Sequence, residues 1–336
     1  MPFLVYIALP VAVICLTLYV VRVRRILRFH GGPLVYYSDV TLHGKTVLVT
    51  GGNTGIGKET ALDLASRGAR VIIACRDLVK AENAAKEIRK MTGNESVATV
   101  HLDLADLESV KKMSQQILKN ETRLDILINN AGIGVKVKEC TKQNFDLFFG
   151  VNYLGHFLLT YLLLDLLKKS APSRIINVSS HAHIFVKRLP SFERGDPTGK
   201  IKYPQLSGYA TSKLANILHA QILAKKLEGT GVTANSLHPG MVKTEILKNN
   251  PINSKELLRI EIYRLLFKYM GRSAKDGAKV IIHMAVDKSL ENVSGQYFEN
   301  LSISSGNLSK LAKDLNFAKS LWDISLELCN SELELN

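Results

Sequence analysis

Cysteine is scarce in this chain, with only four among 336 residues. Cys15 falls in an apolar N-terminal run and Cys75 in a strand-like one, so no paired framework emerges and the thiols read as ordinary. A Pro/Gly/Ser-rich linker, a low-complexity tract and an internal repeat are also missing, which removes the usual marks of a second domain or an array. Acidic side chains are in the minority: 30 Asp and Glu stand against 44 Lys and Arg, a formal net charge of +14. A basic balance suits nucleic acid, but no aromatic-interleaved basic motif or nucleic-acid fold signature occurs, and that partner class is excluded. Arg22, Arg24, Arg25 and Arg28 account for part of the excess. The rest reads as attraction to an anionic membrane face and to a phosphorylated cofactor, with most scattered lysines on solvated helix faces.

What is present is one long α/β rhythm. Strand-like and amphipathic helix-like segments alternate from Lys45 to Val286, which implies an α/β fold with a Rossmann-type, doubly wound parallel sheet in a single domain. Folds of this type hold about 200 to 250 residues or more around one sheet, so no second core is required.

The N-terminus is a separate element. Phe3 to Val21 is apolar apart from Thr17 and two tyrosines of interfacial type, and no charge precedes residue 22. About 20 apolar residues suffice to cross a bilayer core, whereas a cleaved signal has a shorter apolar region and usually a basic start. The expected division is a transmembrane signal-anchor over 1–21, a basic juxtamembrane linker over 22–43, a folded domain over 44–322 and a tail over 323–336. A cleaved signal peptide and a shallow hairpin turning at Pro10 are the alternatives. The arginines that follow the run place the folded domain on the cytosolic side. Sequons at Asn120, Asn292 and Asn307 offer markers of that orientation.

The turn Thr50-Gly51-Gly52-Asn53-Thr54-Gly55-Ile56-Gly57 follows the apolar run Val47-Leu48-Val49 and precedes the helix-like Lys58 to Arg67. Strand, glycine turn and helix in that order make a dinucleotide-binding entry: the glycines let backbone approach a pyrophosphate, and the helix N-terminus offers free N–H groups. Ala69 to Cys75 supplies the second buried strand that such a fingerprint needs. Far downstream, Tyr209 and Lys213 are four residues apart, which on a helix puts phenol and ammonium on one face. A fixed cation beside a tyrosine favours the phenolate and suits proton transfer to or from an alcohol oxygen.

With these motifs the chain resembles a short-chain dehydrogenase/reductase over residues from about Gly44 to about Trp322. Asn129-Asn130-Ala131-Gly132 matches the family's segment after the fourth strand, Asn152 its helix asparagine, Ser180 its serine, and Pro239-Gly240 to Thr244 its late cofactor loop. Ala74 to Asp77, Ser212 to Asn216 and the apolar N-terminus are most similar to the membrane-bound retinol dehydrogenase branch. The resemblance implies an oxidoreductase in which Tyr209 is the acid/base and Ser180 hydrogen-bonds the substrate oxygen. Lys213 would lower the Tyr209 pKa and bind the nicotinamide ribose, and Asn152 would hold a water leading to solvent. An amide that caps or kinks its helix is the plainer role for Asn152.

The same resemblance implies that Gly51, Asn53, Thr54, Gly55, Ile56, Gly57, Arg76, Asp103, Asn130, Ala131, Gly132, Tyr209, Lys213, Pro239 and Thr244 contact the cofactor. At the end of the second strand an acid would bind a ribose 2′-hydroxyl, whereas Cys75 and Arg76 stand there and favour NADP(H). The alternative is a surface arginine that pairs with Asp77. Asp103 resembles the adenine-contacting residue, and could equally cap the helix that follows. His181 and His183 have no acidic or cysteine partner at ligand spacing, so a metal is not expected and they read as pocket lining or a surface turn.

Ser180 and Tyr209 are 29 positions apart. The intervening Phe185 to Leu206, with three prolines and two glycines, reads as an irregular loop at a pocket mouth. Leu257, Leu258, Ile262, Leu265, Leu266 and Met270 form an apolar helical stripe that by resemblance covers the substrate. Packing on the chain's own core, or on a second copy in a homo-oligomer, is the alternative. An apolar lid beside a membrane anchor suits a lipophilic substrate drawn from membrane lipid. Retinal and retinol lead by resemblance, with steroids and fatty aldehydes open. The expected location is the endoplasmic reticulum membrane, crossed once, with the catalytic domain facing the cytosol; a lipid droplet or another organelle membrane is the alternative. A nucleotide-binding scaffold without catalysis is the competing class.

Overall fold

The computed structural model describes residues 33–134, 140–186, 205–243 and 271–330. The expected anchor, most of the loop between Ser180 and Tyr209, Thr244 and the apolar stripe up to Met270 lie outside the described residues.

Apolar runs rich in Val, Ile and Thr make the first strands of the sheet. β1 (Thr46–Thr50), β2 (Arg70–Cys75), β3 (Val97–His101), β4 (Ile126–Asn129), β5 (Ser173–Val178), β6 (Val232–His238), β7 (Tyr297–Glu299) and β8 (Ser302–Ile303) join in the order β3-β2-β1-β4-β5-β6-β7-β8. All pairings are parallel except β7 with β8. Helices α1 (Gly55–Ser66), α2 (Leu78–Thr92), α3 (Leu107–Asn120), α4 (Leu147–Lys169), α5 (Gln205–Lys226) and α6 (Ala274–Val286) follow successive strands, and α7 (Leu315–Asn330) closes the described chain. The doubly wound parallel sheet expected from the alternation is therefore observed.

The period of two along each strand divides the core. Leu48 and Ile72 point into a cluster with Leu107, Val110, Phe157, Leu163, Leu218 and Trp322, on the side of α3, α4, α5 and α7. Val47, Val49, Val71 and Ile73 point to the opposite face, against Ala61, Leu64, Ala85, Ile88 and Ile281 of α1, α2 and α6. Burial on both faces explains why β1 and β2 read as continuous apolar runs. Helix starts follow side-chain capping: Asp77 accepts from Lys80 N, Asp106 from Glu108 N and Ser273 from Asp276 N. Among the described residues α4 is the one helix long and apolar enough to cross a membrane, but 72% of its most apolar window is buried inside the domain. It is a core helix.

Both expected ends of the domain shift outward. Arg67 Nη1 donates to Ser38 O at 2.9 Å and Val40 O at 3.0 Å, and Leu34, Tyr36 and Val40 pack on the core, so the segment from Leu34 belongs to the folded body. At the other end α7 runs past 322, with Ser325 Oγ 2.7 Å from Tyr153 OH and Cys329 buried. Residues 323–330 are thus core helix rather than tail. Among the described cysteines, Cys75 and Cys329 are buried and Cys140 is exposed, and none of the three is in a disulfide.

Candidate active site

The strand order reverses at β1, which has β2 on one side and β4 on the other, and ligands of such sheets bind in the crevice beyond the carboxyl ends at that point. The glycine turn from β1 to α1 lies there. Gly51 has φ +66°, and a Cβ on it would sit 2.9 Å from Ala131 Cα. A Cβ on Gly57 would come within 2.3 Å of Gly51 O and 2.5 Å of Asn130 Nδ2. Neither position admits a side chain. Gly55 also has a positive φ of 56°, and Thr54 caps α1 without a side-chain hydrogen bond, which leaves the helix's first N–H groups for a ligand. Asn53, exposed Thr54 and part-buried Ile56 complete the rim.

Thr50 ties this turn to β4. Its Oγ1 accepts from Asn130 N and Ala131 N, each at 2.9 Å, while Asn130 Nδ2 donates to Thr50 O at 2.8 Å. The segment Asn130-Ala131-Gly132 is thereby held against the glycines, and a Cβ on Gly132 would lie 3.5 Å from Lys213 Nζ. Turn, Asn130 segment and Lys213 are parts of one cradle. Its bare backbone and anion-ready helix end fit a dinucleotide.

Tyr209 and Lys213 lie one turn apart on α5, with Nζ 5.8 Å from the Tyr209 ring centroid. Ser180, just beyond β5, hydrogen-bonds the Tyr209 phenol. Its Oγ also accepts from Ala182 N at 3.2 Å. Lys213 is buried, donates to Val178 O at 2.9 Å, and is pushed by burial down to about 8. Burial raises the Tyr209 pKa, with the Ser180 hydrogen bond opposing. That direction departs from the expected lowering by Lys213, because the ammonium is turned to the Val178 carbonyl and desolvation of the phenolate outweighs it.

Asn152 is fully buried in a π-turn, Gly150–Leu154, within α4. Its Oδ1 accepts from Ile133 N at 2.8 Å, and its Nδ2 donates to Ile133 O at 3.1 Å and Ser212 Oγ at 3.0 Å. The amide clamps the loop after β4 to α5, beside Lys213, from a helix interruption of the kind that marks functional sites.

Arg76 is exposed at the end of β2, and among the described residues its guanidinium has no hydrogen-bond or ion-pair partner. The pairing with Asp77 is not formed: Asp77 caps α2 and meets Lys80 at 3.4 Å. Asp103 is not the cap of α3, a place taken by Asp106; its Oδ1 accepts from Ala105 N at 3.0 Å. Pro239 follows β6, and its carbonyl accepts from Arg272 Nη1 at 3.1 Å. Thr244, four residues on from Gly240, is outside the described residues.

Two groups escaped sequence reasoning. Thr50 stood in the turn without a task, although a threonine ending an apolar strand is a visible signal. Glu299, a lone acid ending the strand-like Tyr297-Phe298-Glu299, is buried and receives His181 Nδ1 at 3.0 Å. His183 is buried too, with Nδ1 2.9 Å from Ser180 O. No group of three or more potential ligands suited to a metal occurs among the described residues.

The model of the short chain dehydrogenase family matches residues 45–189 and 196–255. Mouse retinol dehydrogenase 12 is 44% identical over 306 residues, covering 91% of this chain and 92% of that protein. Human retinol dehydrogenase 11 is 41% identical over 328 residues, 98% of this chain and 94% of the relative. Mouse retinol dehydrogenase 13 is 46% identical over 294 residues, 87% and 85% of the two chains. Among solved structures, an uncharacterized protein from Mycobacterium paratuberculosis superposes with a TM-score of 0.64 at 30% identity, covering 87% of this chain and 95% of that one. A short chain dehydrogenase from Shigella flexneri does so with a TM-score of 0.59 at 25% identity, covering 79% and 95%. With its glycine cradle and its Ser180, Tyr209 and Lys213 in one crevice, the chain belongs to the short-chain dehydrogenase/reductase family of nicotinamide-dependent oxidoreductases, on its retinol dehydrogenase-like branch.

Proposed function

We propose that the protein is a membrane-anchored, NADP(H)-dependent reductase and dehydrogenase of lipophilic carbonyls and alcohols, with retinal and retinol the leading pair. The observation that carries this reading is the meeting of Ser180 with the Tyr209 phenol one helical turn from Lys213, at the edge of the glycine cradle. When bound, the nicotinamide supplies or accepts hydride at the substrate carbon. Tyr209 gives a proton to the carbonyl oxygen in reduction, and a phenol kept protonated by burial is ready for that direction. Ser180 donates to the same oxygen as charge develops on it. The Lys213 ammonium holds charge near the phenolate left behind and binds the ribose, while Asn152 holds the water through which the proton is replaced.

Exposed, and without a partner among the described residues, Arg76 supports NADP(H) over NAD(H), since a guanidinium forks well onto a 2′-phosphate. Asp103 and Pro239 flank the adenine and nicotinamide ends in this reading, and Thr244 completes the late loop. Relatives named retinol dehydrogenase, 41% to 46% identical, support the retinoid as first substrate to try. The apolar 3–21 run and the arginines behind it support an endoplasmic reticulum anchor with the domain in the cytosol, where an NADPH-rich pool drives aldehyde reduction. The test is NADPH oxidation by the purified full chain with retinoid, steroid and aliphatic aldehydes. Turnover fastest with retinal is expected. NADPH binding without turnover of any carbonyl would replace the enzyme with a nucleotide-binding scaffold.

A further inference from the structure

Glu299 ends β7 and is 1% exposed. Four donors converge on its carboxylate: His181 Nδ1 at 3.0 Å and Tyr297 OH at 3.1 Å on Oε1, Ser304 Oγ at 3.0 Å and Asn307 Nδ2 on Oε2. Burial alone would raise its pKa, but the His181 and Asn307 hydrogen bonds, with the His238 and His181 imidazoles nearby, hold it at about 2. The residue is an ion, so His181 Nδ1 is the donor in that pair. A buried carboxylate is costly to desolvate, and a site that satisfies both its oxygens twice is specific in geometry rather than merely stable.

The donors lead straight to the reacting groups. His181 is the covalent neighbour of Ser180 and opens the short 3₁₀ turn His181–Phe185, which the Ser180 side chain caps. His183, in the same turn, bonds Ser180 O through Nδ1 and packs edge-on against Tyr297, ring centroids 5.2 Å apart. Glu299 thus grips both the turn after Ser180 and the tyrosine packed on that turn's His183, without reaching either reacting oxygen itself.

We propose that Glu299 is a positioning residue for Ser180: by fixing His181 it holds the turn that aims the Ser180 hydroxyl at the substrate oxygen. This rests on the catalytic reading of Ser180 and Tyr209 above. Glutamine in its place keeps the shape but not the charge, so the charge-assisted hold on His181 Nδ1 weakens whichever way the amide turns.

The experiment uses the full chain with NADPH and the aldehyde it reduces fastest. Glu299→Gln should lower kcat roughly tenfold, a fraction of what losing an oxyanion donor costs, and leave the NADPH KM unchanged. In a Ser180→Ala background the same substitution should cost nothing further, because there is no hydroxyl left to aim. A purely structural role would add its loss in both backgrounds. His181→Gln breaks the pair from its less buried partner and should give the same kcat loss and the same non-additivity; it decides the matter if Glu299→Gln does not fold. Unchanged kcat, or equal fold-losses with and without Ser180, would overturn the proposal. A wild-type chain that turns over no carbonyl would instead remove the catalytic reading, and this one with it.

Discussion

Gly57→Ala should disable the nucleotide cradle while leaving the sheet intact. The added Cβ would stand 2.3 Å from Gly51 O, 2.5 Å from Asn130 Nδ2 and 2.9 Å from Gly51 C. Restoring ordinary contact requires the turn or α1 to move by roughly 1 Å. Two of the three atoms are backbone, so no flexible side chain can absorb the shift. Overpacking of this kind costs about 1–3 kcal/mol. The Asn130 Nδ2 bond to Thr50 O, at 2.8 Å, stands in the path, and its loss adds about 1 kcal/mol. If even half of that falls on the conformation that meets the pyrophosphate, NADPH affinity drops by about one decade or more. Thermal melts with and without NADPH separate the two effects. The variant should melt a few degrees lower without cofactor and gain much less from NADPH than the wild type does. An unchanged NADPH-induced shift would refute the placement of the pyrophosphate on this turn.

Arg76→Ala should weaken NADPH binding by about one to two decades, the worth of a charge-assisted hydrogen bond, and leave NADH nearly unchanged; equal losses for both would mean that Arg76 does not discriminate. Lys213 titrates at about 8 in the folded chain against about 10.4 unfolded, so below pH 8 both states carry its proton and between the two values the unfolded state binds more. Stability should therefore rise from about pH 8 to 10 relative to Lys213→Met, while kcat/KM for NADPH falls through about pH 8 as the ammonium is lost; parallel stability curves for the two proteins would contradict this. Removing residues 1–28 should release much of the protein from membranes, and protease added to intact microsomes should digest the catalytic domain. Glycan at Asn120 or Asn292 together with protease protection would place the domain in the lumen instead.

How much of this was legible in the sequence follows from how local each feature is. The glycine turn and the Tyr209–Lys213 pair are short-range patterns, and the structure places them at the crevice where strand order reverses. The continuous apolar runs of β1 and β2 and the alternation of strand-like with helix-like segments carried the parallel sheet. Asp103 and Asp106 are both acids just before α3, and only the backbone geometry assigns the cap to Asp106. Long-range pairings left no local trace. Glu299 meets His181 from 118 positions away, and Tyr153 meets Ser325 from 172, so neither the buried ion nor the C-terminal core helix could be read from spacing. The direction of the Tyr209 shift was hidden for a related reason: helix spacing brings Lys213 near the phenol, but the Val178 carbonyl, contributed by β5, decides where the ammonium points.

The most direct test of the account is single-turnover reduction of retinal by NADPH-loaded wild type and Tyr209→Phe, followed at the NADPH absorbance. The wild type should oxidise NADPH in step with alcohol formation, and the variant should bind NADPH equally well but react at least about 10²-fold more slowly, the contribution expected of a lost general acid. Near-equal rates in the two proteins would contradict it, since Tyr209 would then carry no proton to the substrate.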